Sequence, residues 1–188
     1  MSDSVTQTRK WKTVDMVYIA MFAVLIAVCS WISIPAQVPF TMQTFGIFLT
    51  GATLGGKRGS LAVLVYLLLG AVGMPVFAGF QGGVSRLFGS TGGYILGFLL
   101  TTLLMWGMEV LFGKKTWVLL VSMVLGLLLC YAFGTIWFLF LYTRTKGTIS
   151  LLSALTLCVF PYVLPDLLKI ALALTLYRRL SGIIKIHS

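Results

Sequence analysis

MVYIAMFAVLIAVCSWISIPAQVPFTMQTFGIFLTGATLGG, residues 16–56, contains no charged side chain. About 20 residues of helix cross the hydrocarbon core of a bilayer, so these 41 residues are too many for one span. In the middle stands Ser33-Ile34-Pro35-Ala36-Gln37-Val38-Pro39. Proline lacks a backbone donor and holds the preceding residue extended, so this segment breaks the run. The reading is two helices, at about 16–34 and 40–56, followed by a tight turn of Lys57 and Arg58 among Gly55, Gly56 and Gly59.

The whole chain has the same character. Its 188 residues are 59% apolar and 10% charged, against about 25% charged in an average soluble domain. The mean hydropathy is +1.04. These values exclude an ordinary soluble globule, a disordered tail and a nucleic-acid binder, and imply a polytopic membrane protein. Working outward gives four more spans, at about 60–74, 91–112, 117–142 and 150–177, the last interrupted by Pro161 and Pro165. The expectation is an all-α, six-helix integral membrane protein forming one domain over residues 1–188.

Six spans put both termini on one side. With 14 Lys+Arg against 4 Asp+Glu, the basic residues report orientation. Arg9, Lys10, Lys12, Lys57, Arg58, Lys114, Lys115, Arg178, Arg179 and Lys185 share one face, and Arg86, Arg144 and Lys146 the other. The richer face, with both termini, is expected in the cytoplasm of a cell-membrane protein. Trp11, Trp31 and Trp117 stand near span ends as interfacial anchors. Cys29, Cys130 and Cys158 lie in apolar runs without metal or disulfide spacing and read as packing residues. His187 is penultimate and reads as a solvated tail residue. No Walker A motif is present.

Polar groups inside a membrane are costly, so those present are candidates for function. Asp166 and Lys169 are spaced i, i+3 on one helix face. They form either an ion pair that satisfies only itself or a ligand-facing pair. Residues 70–93 contain eight glycines and should not remain helical. The segment is apolar and aromatic, and is expected to fold into the bundle as a lid with Phe77 and Phe80 packed inward. Gln81, Arg86, Ser90, Thr91 and Tyr94 supply its hydrogen-bonding groups, and Ser90 or Thr91 is expected to cap the fourth span. Thr41 and Gln43 begin the second span. Ala23 and Ala27 form a small-residue face that permits close helix approach. Glu109 and Asp15 read as interfacial partners of Lys114-Lys115 and Lys12 respectively.

Five pieces in order resemble the BioY family, the biotin-binding S-components of energy-coupling factor (ECF) transporters. They are Val38-Pro39-Phe40-Thr41-Met42-Gln43-Thr44; Gly51 to Gly59 with Lys57-Arg58; Tyr66 to Gly83; Gly89-Ser90-Thr91-Gly92-Gly93-Tyr94; and Pro165-Asp166-Leu167-Leu168-Lys169. The similarity runs over about 14–180. It departs from the family pattern at Ser90, where proline is common.

The resemblance implies six helices and a biotin site towards the outside, covered by the loops after spans one and three. It implies Asp166 and Lys169 near the biotin head group, with Gln43, Gln81, Arg86, Thr91, Tyr94 and Phe80 as further ligand-binding candidates. The partners implied are one transmembrane coupling protein, docked on Ala23 and Ala27, and two cytoplasmic ATPases. No cofactor, metal or catalytic residue is expected, since the role is capture rather than chemistry. Biotin's cyclic urea offers two N–H donors and a carbonyl, which suit Asp166 and Gln81 or Lys169. Its valerate carboxylate suits Arg86. The alternatives are another vitamin, thiamine or riboflavin, or transport of biotin by this chain alone. A lipid-modifying membrane enzyme lacks an acid/base or metal cluster here, and a simple pore lacks rings of polar residues.

Overall fold

The computed structural model describes residues 12–36 and 38–181. Arg9, Lys10, Trp11, Gln37, Lys185 and His187 lie outside the described residues, as does the Lys146 side chain. The described chain is mostly helical: α1 (Thr13–Trp31), α2 (Gln43–Leu54), α3 (Gly56–Ala71), α4 (Val84–Leu87), α5 (Gly92–Phe112), α6 (Thr116–Lys146), α7 (Leu151–Cys158) and α8 (Phe160–Leu180). Among the described residues, α1, α5, α6 and α8 are long and apolar enough to cross a membrane. With 12 and 16 residues, α2 and α3 are about 18 and 24 Å long at 1.5 Å per residue, less than a hydrocarbon core of about 30 Å.

Several boundaries differ from the sequence expectation, each for a local reason. α1 stops at Trp31, and Ser33–Ile34 and Phe40–Thr41, on either side of the proline break, are the strands of a small hairpin rather than helix. β1 (Ser33–Ile34) pairs antiparallel with β2 (Phe40–Thr41), Ser33 opposite Thr41 and Ile34 opposite Phe40. Residues before proline favour extended backbone, and Ile34 and Val38 both precede one. Lys57 and Arg58 do not form a turn. One left-handed residue, Gly55 at φ 79°, reverses the chain, and both cations fall in the first turn of α3. The break in the last apolar segment lies at Val159, not at the prolines. Pro161 occupies the second position of α8, where its missing N–H has no intrahelical role.

α2 is the central element: ten of its residues are buried, and it contacts α1, α3, α5 and α8. α5 and α6 pack together through small residues. Gly93 meets Trp137 and Gly97 meets Cys130, while Gly126 meets Thr101 and Gly134 meets Tyr94. The outer surface is apolar, with Met21, Val24, Val110, Leu111, Leu128 and Leu168 all exposed, as a lipid-facing surface requires.

At one end of the bundle the charges pair differently from expectation. Asp15 accepts the Lys12 backbone N–H but forms its ion pair with Arg58, at 3.1 Å. Glu109 accepts the backbone N–H of Gly56, so it caps α3 from α5. Ala23 and Ala27 are 1% and 5% exposed, inside the protein's own core. In the chain by itself they form no exposed face, and their small size lets α1 approach its own neighbours.

A Cβ on Gly56 would lie 2.1 Å from the Trp106 Cα, whereas one on Gly107 meets nothing within 4 Å. Gly56→Ala is expected to lower stability by about 1–3 kcal/mol through overpacking. Gly107→Ala should be neutral or mildly stabilising. Thermal unfolding in detergent, followed by tryptophan fluorescence, checks both. Equal midpoints for the two variants would contradict the close α3–α5 approach.

Candidate functional site

Two overlapping hollows open between the β1–β2 hairpin, α2, α5 and α8. One, of about 400 Å³, is lined by Thr41, Thr44, Tyr94, Phe98, Cys130, Tyr131, Cys158, Tyr162, Asp166 and Lys169, with Val38 and Pro39. The other, of about 360 Å³, shares Val38, Pro39, Thr41, Tyr94 and Phe98 and adds Gln43, Ala78, Thr91 and Ile95. Both volumes include space open to the outside. The walls are aromatic and aliphatic with a few convergent polar groups, the usual character of a small-molecule pocket.

The polar centre is built from α8 outward. Asp166 and Lys169 are 3% and 5% exposed and pair at 2.8 Å. A buried charge needs compensation on every side, and the surrounding elements supply it. Lys169 Nζ also donates to the Thr41 carbonyl at 2.6 Å and lies 4.2 Å from the centroid of the Phe40 ring. Thr44 Oγ1 donates to Asp166 Oδ1 at 2.9 Å, and the Tyr131 hydroxyl donates to Oδ2 at 2.5 Å. Asp166 Oδ1 thus receives two donors and Oδ2 one. A carboxylate has about four acceptor positions, so one on Oδ2 stays available. The pair is held by protein groups and also forms cavity wall, so the two readings of it are not exclusive.

Of the residues singled out from the sequence, Asp166, Lys169, Gln43, Thr91, Tyr94 and Thr41 line these hollows. Tyr94 exchanges a hydrogen bond with Thr135 at 3.1 Å. Thr91 is the residue before the first turn of α5, but its side chain makes no capping bond, contrary to expectation. Gln81, Arg86 and Phe80 line neither hollow. Gln81 forms a one-residue bridge with Phe77. Arg86 is exposed on α4. Of the two aromatic rings expected inside, Phe77 is 2% exposed and packs edge-on to Tyr66, but Phe80 is 63% exposed and stacks on Trp31 at 5.0 Å. The local geometry differs from the expectation: Phe80 sits at φ 57°, in the tight turn between the bridged Phe77 and Gln81.

Tyr131, Thr44, Phe40 and Tyr162 were missed. Tyr162 donates to the Val38 carbonyl and so ties α8 to the hairpin. The available signal was weak: Tyr131 is a polar-tipped ring within a long apolar helix, where its hydroxyl needs a partner. Among the described residues, no group of three His, Cys, Asp or Glu side chains converges to hold a metal.

Known proteins resemble this chain along most of its length. The model of the BioY family matches residues 4–185. The probable biotin transporter BioY of Pyrococcus horikoshii is 36% identical over 172 residues, covering 91% of this chain and 98% of that protein. The biotin transporter BioY of Thermotoga maritima is 40% identical over 171 residues, covering 89% and 95%. The crystal structure of the S-component for biotin from an ECF-type ABC transporter superposes with a TM-score of 0.78 at 27% identity, covering 90% of this chain and 91% of that one.

Asp166→Asn leaves the buried Lys169 ammonium without its counter-ion, and a stability loss of about 3–5 kcal/mol is expected. Adding Lys169→Met removes the stranded charge and should restore part of it. Thermal midpoints of the single and double variants read the coupling. A double variant no more stable than Asp166→Asn alone would show that the pair is not energetically linked.

Proposed function

The chain belongs to the BioY family, and on that premise we propose how its cavity performs biotin capture. The protein is a transport protein, not an enzyme, and biotin is its transported ligand. The observation that carries the site assignment is the Asp166–Lys169 pair, buried in a cavity wall with one acceptor position open. Biotin's urea N–H groups need acceptors, and its carbonyl needs a donor. Asp166 Oδ2 takes one N–H, the Gln43 amide oxygen offers a second acceptor, and Lys169 supplies positive charge near the carbonyl. Tyr94, Phe98, Tyr131 and Tyr162 wall the apolar rings, and Thr91 adds a hydroxyl near the mouth. A ligand polar group left unpaired here costs about 1–3 kcal/mol, which selects against analogues without the urea. Gln81, Arg86 and Phe80 take part only if the 72–91 segment moves over the cavity as a lid. In that position Arg86 meets the valerate carboxylate.

The proposed topology has six crossings in one membrane domain, with α2 and α3 crossing inside a shell of longer helices and α7 with α8 sharing the last. Both termini face the cytoplasm. The Asp15–Arg58 pair and the Glu109–Gly56 bond support this, because they gather the cation-rich segments at one end of the bundle. Energy comes from a separate module of one coupling protein and two ATPases. The chain carries no Walker A motif, which supports a separate energy source.

Titrating the purified protein with biotin should change its tryptophan fluorescence at low concentration, while thiamine and riboflavin should not. Asp166→Asn should weaken biotin binding at least tenfold. Binding of thiamine or riboflavin in preference to biotin would overturn the substrate assignment. For topology, a cysteine replacing Ser85 in a variant free of other cysteines should react with an impermeant thiol reagent from outside intact cells. One replacing Lys115 should react only after lysis, and the reverse pattern would invert the orientation.

A further inference from the structure

The two oxygens of Asp166 are held from different sides of the hollow. Oδ1 accepts from Thr44 of α2 at 2.9 Å and from Lys169 of α8 at 2.8 Å. Lys169 is itself fixed by its bond to the Thr41 carbonyl in the hairpin, at 2.6 Å. Oδ2 accepts from the Tyr131 hydroxyl, which crosses from α6, at 2.5 Å. That length is typical of an O–H donor on a charged acceptor.

α6 is not free to follow the carboxylate, because it is packed closely on α5 on both sides of Tyr131. A Cβ on Gly97 would lie 2.9 Å from Cys130 Sγ, and one on Gly134 would lie 2.2 Å from the Tyr94 ring. Both are close approaches that only a small residue allows. One turn beyond Tyr131, the Thr135 hydroxyl bonds the Tyr94 hydroxyl at 3.1 Å. The Tyr131 hydroxyl is therefore presented by the α5–α6 pair as a unit. Asp166 is tied on one oxygen to α2 and α8, and on the other to this pair. Turning the carboxylate about its Cβ–Cγ bond would strain hydrogen bonds at both oxygens. The acceptor position left on Oδ2 thus has one direction. Without the Tyr131 hydroxyl, Oδ2 has two open positions and nothing holds the carboxylate plane from the α6 side.

We propose that Tyr131 is a positioning residue for recognition of the ligand's urea: its hydroxyl aims the open Oδ2 acceptor of Asp166 at one urea N–H. The proposal rests on the biotin-capture reading given above. The Tyr131 ring walls the cavity, whereas its hydroxyl acts through Asp166. An acceptor aimed in advance spares the ligand the cost of ordering it. A ligand with no N–H at that position gains nothing from the aim, so the effect of the hydroxyl depends on the ligand.

The test uses the full chain in lipid nanodiscs, with Kd values from tryptophan fluorescence. The probes are biotin and its two analogues methylated at one or the other urea nitrogen. Tyr131→Phe keeps the ring and removes only the hydroxyl. It should raise the Kd for biotin about tenfold. For one methylated analogue the same substitution should change the Kd less than about twofold, because the N–H that Asp166 accepts is already missing. For the other analogue the loss should again be about tenfold. A merely structural role would weaken all three ligands equally. If Tyr131→Phe fails to fold, Tyr131→Met, which refills the space with a flexible apolar chain, carries the same ligand-dependent pattern. An unchanged Kd for biotin, or an equal loss for all three ligands, would overturn the positioning role while leaving capture intact. A wild-type chain that does not bind biotin would overturn the capture reading, and the positioning role with it.

Discussion

The buried ion pair of Asp166 and Lys169 constrains everything around it. Two charges removed from water must be met by fixed partners, and no single helix provides them. Here α8 supplies the pair, the hairpin supplies the Thr41 carbonyl and the Phe40 ring, α2 supplies Thr44, and α6 supplies Tyr131. Four elements from three separate stretches of the chain are thereby brought to one point. The cavity exists because these groups converge without filling the space between them. An apolar core would have closed it.

The same logic explains why the hairpin is extended rather than helical. Pro35 and Pro39 free backbone from helical bonding, and β2 then turns the Thr41 carbonyl towards Lys169. A helical Thr41 would have used that carbonyl within its own helix. The proline segment is thus both a break between helices and part of the binding wall. At the other end of the bundle, Glu109 and Asp15 satisfy the start of α3 and Arg58, so cationic residues there are tied to the scaffold. For a transporter of biotin, this separates a rigid end from the end that carries the cavity.

Helical segments were legible from hydropathy because transfer from water to lipid depends on local composition over about 20 residues. The Asp166–Lys169 pair was legible because charge in such a segment is rare. Tyr131 and Thr44 were not, since tyrosine and threonine are ordinary in apolar helices until a charged partner is known. Phe80 was misplaced because composition favoured burial, while its positive φ and the hairpin geometry turned it out onto Trp31. Ala23 and Ala27 show the sharpest limit. α1 is apolar on every side, so no periodicity distinguishes the face against lipid from the face against its own core.

The sequence by itself determined that this is a membrane protein of the BioY type, where its apolar segments lie, and which two charges stand within them. These properties are additive or local: the free energy of membrane insertion sums over neighbouring residues, and i, i+3 spacing fixes a shared helix face. Only the tertiary structure decided which groups compensate those charges, which side of α1 is internal, and that Glu109 caps α3. Each of these depends on contacts between residues far apart in the chain. A buried donor or acceptor constrains the type of partner it must have, but not the helix from which that partner comes.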